Sequence, residues 1–275
     1  LYSNAATKCS LFGAITGSVK NVNFEDCTLE PGSDATGTGL IAGYAKNTVF
    51  QNIKVKNLTI NSLGNNNNGK NLGGAVGIAE GCTFDNVTVD VDVVDYDQNG
   101  TIPRVVGGLV GILQEETSTV NNCHTTGTVR AHHYGGGFIG VVKCENQEIT
   151  NCTADVKVIG LVDSGNYNAG FIGYANKGIK LTSCISKGDV DAKYKNYGGG
   201  FIAGIQGNAT IKKCGSEGNV THAVGTHVGA FIGNIGVKNG DWNDNTVYGD
   251  SVVEDCYCTG NITVTAGSGN SGRMN

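Results

Sequence analysis

The stretch Gly199-Gly200-Phe201-Ile202-Ala203-Gly204 decides the fold, because variants of it return along the whole chain. We call it the glycine phrase: leading glycines, an apolar residue, a β-branched residue and a closing glycine. Successive copies lie 26 to 35 residues apart, and a period near thirty residues over a whole chain is typical of a solenoid. Aligned on their glycines, the eight copies place their apolar residue at Ala14, Leu40, Ala75, Leu109, Phe138, Phe171, Phe201 and Phe231.

The residue after the apolar one is β-branched in every copy, which favours a strand over a helix. The series is Ile15, Ile41, Val76, Val110, Ile139, Ile172, Ile202 and Ile232. We therefore predict that each repeat is one coil of a parallel β-helix, made of two or three short strands joined by glycine and asparagine turns. Equivalent residues of neighbouring coils would then stack about 4.8 Å apart.

A second pattern follows each glycine phrase. An apolar residue recurs as Phe24, Phe50, Phe84, Val120, Ile149, Leu181, Ile211 and Val253. Three residues later comes what we call the cysteine position, filled by Cys27, Ile53, Val87, Cys123, Cys152, Cys184, Cys214 and Cys256. Since isoleucine and valine replace cysteine there, we expect buried, reduced thiols that act as small apolar groups. We interpret the remaining Cys9, Cys82 and Cys144 as thiols in loops.

Asparagine precedes the cysteine position in four repeats, as Asn52, Asn86, Asn122 and Asn151. Asparagine tolerates the left-handed backbone conformation better than most residues do. We therefore predict that a corner of the coil lies at this position.

The composition narrows the class of protein. With 44 glycines, two prolines and 16% charged residues, the chain is neither collagen-like nor a coiled coil. The net charge of −5 provides no basic surface for nucleic acid, and no apolar run is long enough to enter a bilayer as a helix. The uninterrupted repeat predicts one monomeric domain over residues 1–275. The beginning, Leu1-Tyr2-Ser3-Asn4, is not a signal peptide, so we expect a segment of a larger protein.

The glycine phrase, the strand ending in Asn-Cys and the Gly-x-Val that follows resemble the GLUG motif, most clearly at 107–129, 136–158, 170–190 and 199–220. The resemblance implies an all-β, right-handed parallel β-helix, here of about eight coils. It also implies an extracellular place on the bacterial cell surface. Some proteins with this motif are adhesin-like, and others are metallopeptidases of the IgA1-protease type.

Two short stretches were considered as metal sites. Asp95-Tyr96-Asp97-Gln98-Asn99-Gly100 matches the first half of a calcium loop, with Asp95, Asp97 and Asn99 as the ligands. The glutamate that should close such a loop is replaced by Val106, so a solvated turn without cofactor is the interpretation we favour. His132 and His133 alternate in direction along a strand, so we interpret them as exposed loop histidines.

The variable parts of the chain are three insertions, at 62–70, 92–103 and 239–251. Loops on a rigid scaffold commonly carry recognition, so we predict ligand binding there, with Tyr96 and Trp242 as aromatic anchors and Asp244 as a polar contact. The sequence predicts a non-catalytic extracellular spacer or adhesin-like module that binds a host protein or glycan.

Two alternatives stay open. The first is a carbohydrate-active β-helix enzyme, a lyase or hydrolase, which would need carboxylates paired in a groove. The second is the non-catalytic repeat domain of an IgA1-protease-like protein. The chain contains no His-Glu-x-x-His motif, nucleophile elbow or phosphate loop, which favours binding over catalysis.

Overall fold

The computed structural model describes residues 2–3, 8–32, 34–62, 70–95, 104–161, 167–192, 197–222, 227–235, 250–264 and 273–274. Within these ranges the regular secondary structure is β-strand, in sheets of 23 and nine strands. The strands pair in parallel with their equivalents in the neighbouring repeats, so the chain winds as a β-solenoid. The predicted all-β solenoid is confirmed.

Each coil runs along four sides in turn. The first side is the nine-stranded sheet, with strands Lys8–Cys9, Gly37–Thr38, Asn71–Gly73, Val105–Gly107, Tyr134–Gly136, Tyr167–Ala169, Tyr197–Gly199, His227–Gly229 and Arg273–Met274. The second side follows the glycine phrase, with strands Val76–Glu80, Val110–Leu113, Ile139–Val142, Ile172–Ala175, Ile202–Ile205 and Ile232–Ile235.

The third and fourth sides complete the coil. The third has strands Thr119–Asn121, Gln147–Thr150, Ile179–Thr182, Ala209–Lys212 and Val252–Glu254. The fourth has strands Tyr2–Ser3, His124–Ala131, Thr153–Gly160, Ile185–Ser186, Val190–Ala192, Gly215–Ser216, Val220–His222, Tyr257–Cys258 and Ile262–Val264. In the early repeats single strands continue through the corners: Phe12–Pro31 and Ala42–Ser62 cover the second to fourth sides, and Thr83–Asp95 the third and fourth.

The interior is filled by ladders of equivalent apolar residues. The ring of Phe171 stacks on those of Phe138 and Phe201, with centroids 4.6 and 4.9 Å apart. About six turns have such a buried interior, whereas the first and last repeats are partly exposed end layers, with Leu11 51% and Val253 49% exposed. The count of eight coils includes these end layers, and the right-handed winding stays a prediction.

The glycine-based alignment is wrong for the first two repeats. Phe12 pairs with Ala42, and Ala42 pairs with Val76. The interior apolar residues of these two repeats are therefore Leu11 and Ile41, rather than Ala14 and Leu40. Interior packing sets the register, and in the first repeat the leading glycines are replaced, so matching glycines selected the wrong residues.

The same shift in register changes which residue of the first repeat occupies the cysteine position. Val22, not Cys27, pairs with Ile53, and Val19, not Phe24, pairs with Phe50. Cys27 pairs instead with Leu58, on the fourth side. Five cysteines, not six, therefore occupy the cysteine position.

The predicted corner is confirmed. Asn52, Asn86, Asn122 and Asn151 have φ of 54°, 55°, 52° and 52°, in the left-handed region. The equivalent residues of the other repeats share this conformation, including Ser183, Lys213 and Asp255 with φ of 56°, 54° and 54°. The coil thus turns here in every repeat, whatever the residue. Where two successive coils both have asparagine at this position, a hydrogen bond joins them: Nδ2 of Asn86 donates to Oδ1 of Asn52 at 2.9 Å.

The ten cysteines are unbridged. Cys123, Cys152, Cys184 and Cys214 are buried, as expected. The interpretation as loop thiols is wrong for Cys9, which lies on the strand Lys8–Cys9, whereas Cys82 and Cys144 do lie in the connections between strands; all three are buried. Cys82 and Cys144 lie inside the corner between the second and third sides, where Sγ of Cys144 is 3.2 Å from Oε1 of Gln147.

Candidate functional site

Two corners of the solenoid carry the parts of the chain that break the repeat. The loop corner joins the fourth side to the first, and the connections 63–69 and 96–103 begin and end there. The polar corner joins the second side to the third, and the connection 236–249 begins and ends there. The predicted insertion at 92–103 is too long, because Asp92 to Asp95 still belong to the strand Thr83–Asp95.

Buried polar contacts join the two ends of each insertion at the loop corner. Nζ of Lys70 donates to Oγ of Ser62 at 2.9 Å, and Nη1 of Arg104 donates to Oδ1 of Asp95 at 2.7 Å. All four residues are at most 1% exposed. Because breaking a buried polar pair is costly, these contacts fix the points where the two insertions leave the rod.

Asp95, a predicted calcium ligand, is therefore not part of a solvated turn. Its Oδ2 lies 3.5 Å from Nδ1 of His132 in the next repeat. Burial opposes the charged carboxylate, but His132 and Arg104 outweigh it and hold the pKa of Asp95 below its ordinary value. The interpretation of His132 as an exposed loop residue is wrong, since it is 4% exposed and faces this carboxylate.

The other predicted site residues, Tyr96, Asp97, Asn99, Trp242 and Asp244, lie outside the described residues. The calcium site and the aromatic anchors therefore stay predictions. Among the residues that the structure describes, no group of three or more His, Cys, Asp and Glu side chains is arranged to hold a metal ion.

A tyrosine ladder runs along the first side, in a buried cluster separate from the main interior, and was missed in the sequence. Tyr134, Tyr167 and Tyr197 stack with centroids 5.5 and 4.4 Å apart, and His227 continues the stack at 5.3 Å. Tyr174, from the second side, packs against Tyr167 at 4.7 Å. Burial raises the pKa of Tyr134, Tyr167 and Tyr174.

The sequence does contain a sign of this ladder: a tyrosine recurs three residues before the second leading glycine of the glycine phrase. The rings of Tyr167 and Tyr197 are buried, so they pack two sides together rather than offering a stacking surface.

The polar corner carries a hydrogen-bonded carboxylate. Glu80 accepts from the hydroxyl of Tyr44 at 2.7 Å and from Nε2 of Gln114 at 2.9 Å. Nζ of Lys46 lies 3.6 Å from Glu80 and 3.1 Å from Glu116, so one lysine serves two carboxylates. Sequence reasoning missed this cluster, because its members come from three successive repeats.

Glu80 and Glu116 share the ammonium group of Lys46 and are therefore a carboxylate pair to compare with that of a glycosidase, but Glu80 does not suit the acid role. A glycosidase acid needs a raised pKa, so that the carboxyl stays protonated until it reacts. Burial opposes the charged form of Glu80, yet the bonds from Gln114, Tyr44 and Lys46 hold its pKa below the ordinary value. The cluster therefore stabilises an ionised carboxylate.

Comparison with known proteins finds no matching family model, no similar curated protein and no similar solved structure. No helix within the described ranges is long and apolar enough to cross a membrane.

Proposed function

We propose that the chain is a non-catalytic, monomeric spacer or adhesin-like module that binds a host protein or glycan through its inserted connections. The observation that carries the proposal is that the insertions join an otherwise regular solenoid at two corners. Solenoids use rigid stacking to present variable surfaces, so the regular sides act as a scaffold. The GLUG resemblance supports right-handed coils and a place on the bacterial cell surface.

In this proposal the buried contacts at the loop corner supply preorganisation. With the ends of 63–69 and 96–103 tied by Lys70 and by Arg104, less chain has to be ordered when a ligand binds. Tyr96 and Trp242 serve as aromatic anchors, and Asp244 as a polar contact. Calcium at Asp95, Asp97 and Asn99 is a lesser proposal, because the ion would have to compete with Arg104 for the Asp95 carboxylate.

The test is binding to glycan arrays and capture of host proteins by the purified chain. Trp242→Ala should abolish the signal while the melting temperature stays unchanged. Tyr257→Ala is the matched control, since Tyr257 is an exposed aromatic residue on a strand of the same repeat, 42% exposed. Equal loss of binding in both variants, or none in either, would refute the role of the insertion.

The enzyme alternative is tested with the same purified protein, by assaying the cleavage of polysaccharides. If the pure protein cleaves a polysaccharide and Glu80→Gln abolishes the cleavage, the proposed binding function is wrong. Glu80 is the informative position because it is the buried member of the carboxylate pair, 6% exposed. The IgA1-protease alternative predicts instead that binding is directed to the substrate of a neighbouring peptidase domain.

A further inference from the structure

A shallow cleft of about 310 Å³ lies on the polar corner, away from the clusters described so far. Turns of three successive repeats form it, and the residues that matter are Glu145, Asn146, Asn176, Lys177, Gln206 and Asn208. Asn146 and Gly207 have φ of 51° and 99°, so these turns are bent tightly by left-handed residues. The cleft is at the small end of the range for ligand sites and is polar rather than apolar.

A buried tyrosine orients two amide side chains towards this cleft. The hydroxyl of Tyr174 lies 2.8 Å from Oε1 of Gln206 and 3.4 Å from Oδ1 of Asn176. With both amide oxygens facing the hydroxyl, the two NH2 groups point away from it. Within the described part of the chain neither NH2 group donates to a protein acceptor, so both are available as hydrogen-bond donors.

The charges of the cleft cancel. Nζ of Lys177 lies 3.2 Å from Oε1 of Glu145, and these are the two charged side chains among the lining residues. The lining residues therefore carry no net charge, so neither an anionic nor a cationic ligand would meet an uncompensated opposite charge. The remaining groups are amides, each of which both donates and accepts hydrogen bonds.

We propose that this cleft binds one or two units of a neutral saccharide. Neighbouring sugar hydroxyls each donate and accept, which matches adjacent amides from Asn146, Asn176, Gln206 and Asn208. An ordered set of donors without net charge favours such a ligand over an anion. This site is separate from the inserted connections, so it does not depend on the binding function proposed above.

The test uses neutral hexasaccharides of glucose, mannose, galactose and xylose, with an oligogalacturonate as the anionic comparison. Saturation-transfer NMR detects binding, and isothermal titration calorimetry measures affinity. Gln206→Ala should weaken binding at least about tenfold, because it removes the oriented amide. Tyr174→Phe keeps the ring and removes the hydroxyl, so a loss of about three- to fivefold is expected.

Gln114→Ala is the matched control. Gln114 occupies the same position of the polar corner in an earlier repeat, where it bonds to Glu80 outside the cleft. Unchanged affinity in Gln114→Ala, with loss in Gln206→Ala, supports the proposal. Loss in Trp242→Ala but not in Gln206→Ala would overturn it and leave the loop-borne function standing. No neutral saccharide bound, or stronger binding of the oligogalacturonate, would also overturn it.

Discussion

Cys184 shows how the interior selects single residues by size. It lies between Cys152 and Cys214 in the stacked corners that join the third side to the fourth, and its Sγ donates to the carbonyl oxygen of Thr182 at 3.4 Å. Burial raises the pKa of the neighbouring Cys152 thiol, which keeps it protonated and unreactive. Parallel side chains of stacked strands do not readily reach the dihedral angle near 90° that a disulfide needs.

Cys184→Val should lower the free energy of unfolding by about 1 kcal/mol or less, as a near-isosteric change. In the wild type, Cys123, Cys152, Cys184 and Cys214 should react with a thiol reagent only after denaturation. Cys258, which is exposed, is the internal control and should react in the native protein. Mass spectrometry that finds disulfides between adjacent coils would contradict the prediction.

The tyrosines predict a loss of stability at alkaline pH. Burial raises the pKa of Tyr167 and Tyr174, and a 2.7 Å hydrogen bond to Glu217 raises the pKa of Tyr257 to about 12. The unfolded chain releases these protons near pH 10, about the ordinary tyrosine value, whereas the folded chain retains them. The contribution of these tyrosines to stability should therefore be constant below about pH 10 and should be lost as the pH rises further.

Ultraviolet absorbance of the phenolate measures the ionisation of the tyrosines, and circular dichroism measures the loss of strand structure. The buried tyrosines should ionise together with the loss of strand structure. Ionisation of all ten tyrosines near the ordinary pKa, with the strand signal intact, would show that the ladder is open to water.

At the scale of the element, the second leading glycine of the phrase permits two coils to approach. A Cβ built on Gly137 would overlap the carbonyl oxygen of Gly170 in the next repeat, and the same holds for Gly108 and Gly200. The repeat that contains Phe231 has Ala230 at this position, and beyond it the described chain adds the strand Arg273–Met274, which pairs with His227 and Val228. From the third to the seventh repeat, glycine at this position therefore serves the close contact between coils rather than an unusual φ, whereas Leu40 occupies the equivalent position of the second repeat.

Gly137→Ala should destabilise the protein by about 1–3 kcal/mol, since the backbone has to shift to remove the overlap. Gly13→Ala is the control, because the nearest atom to its added Cβ is Cβ of Lys8 at 3.8 Å. That change should be neutral or stabilise by up to about 1 kcal/mol through the unfolded state. Chemical denaturation measures both, and equal effects would refute the close-approach argument.

At the scale of the whole molecule, stability comes from contacts between neighbouring coils. Each interior coil has two neighbours, whereas an end coil has one, so equivalent residues should differ in importance along the rod. Among the described residues, Phe171 stacks on two rings, whereas Phe231 stacks on the one ring of Phe201, at 5.0 Å.

Phe171→Ala should therefore cost about 3–5 kcal/mol, and Phe231→Ala clearly less. Denaturation followed by far-UV circular dichroism measures the difference. The same spectra should show strand and almost no helix, and a helix content above about a fifth would contradict the fold. Equal costs at the two positions would show that the last repeat is as enclosed as the interior.

The sequence by itself determined the repeat, the strands and the corner before the cysteine position. These features depend on contacts between equivalent residues, and such contacts leave a period in the chain. Asn52 and Asn86 were recognised for the same reason, because a left-handed residue is needed at that point in each coil. The burial of Cys184 followed from the valine and isoleucine that replace cysteine elsewhere.

Only the tertiary structure decided the register of the first two repeats and the composition of the candidate sites. Leu11 replaces Ala14 because the pairing of Phe12 with Ala42, and not the position of the glycines, sets the register of the first repeat. Asp95 meets Arg104 across an insertion and His132 across a coil, and Tyr174 meets Gln206 across another. Each of these polar contacts occurs in only one or two repeats, so it produces no periodic pattern in the sequence. The contacts depend instead on how the corners of the solenoid close in space.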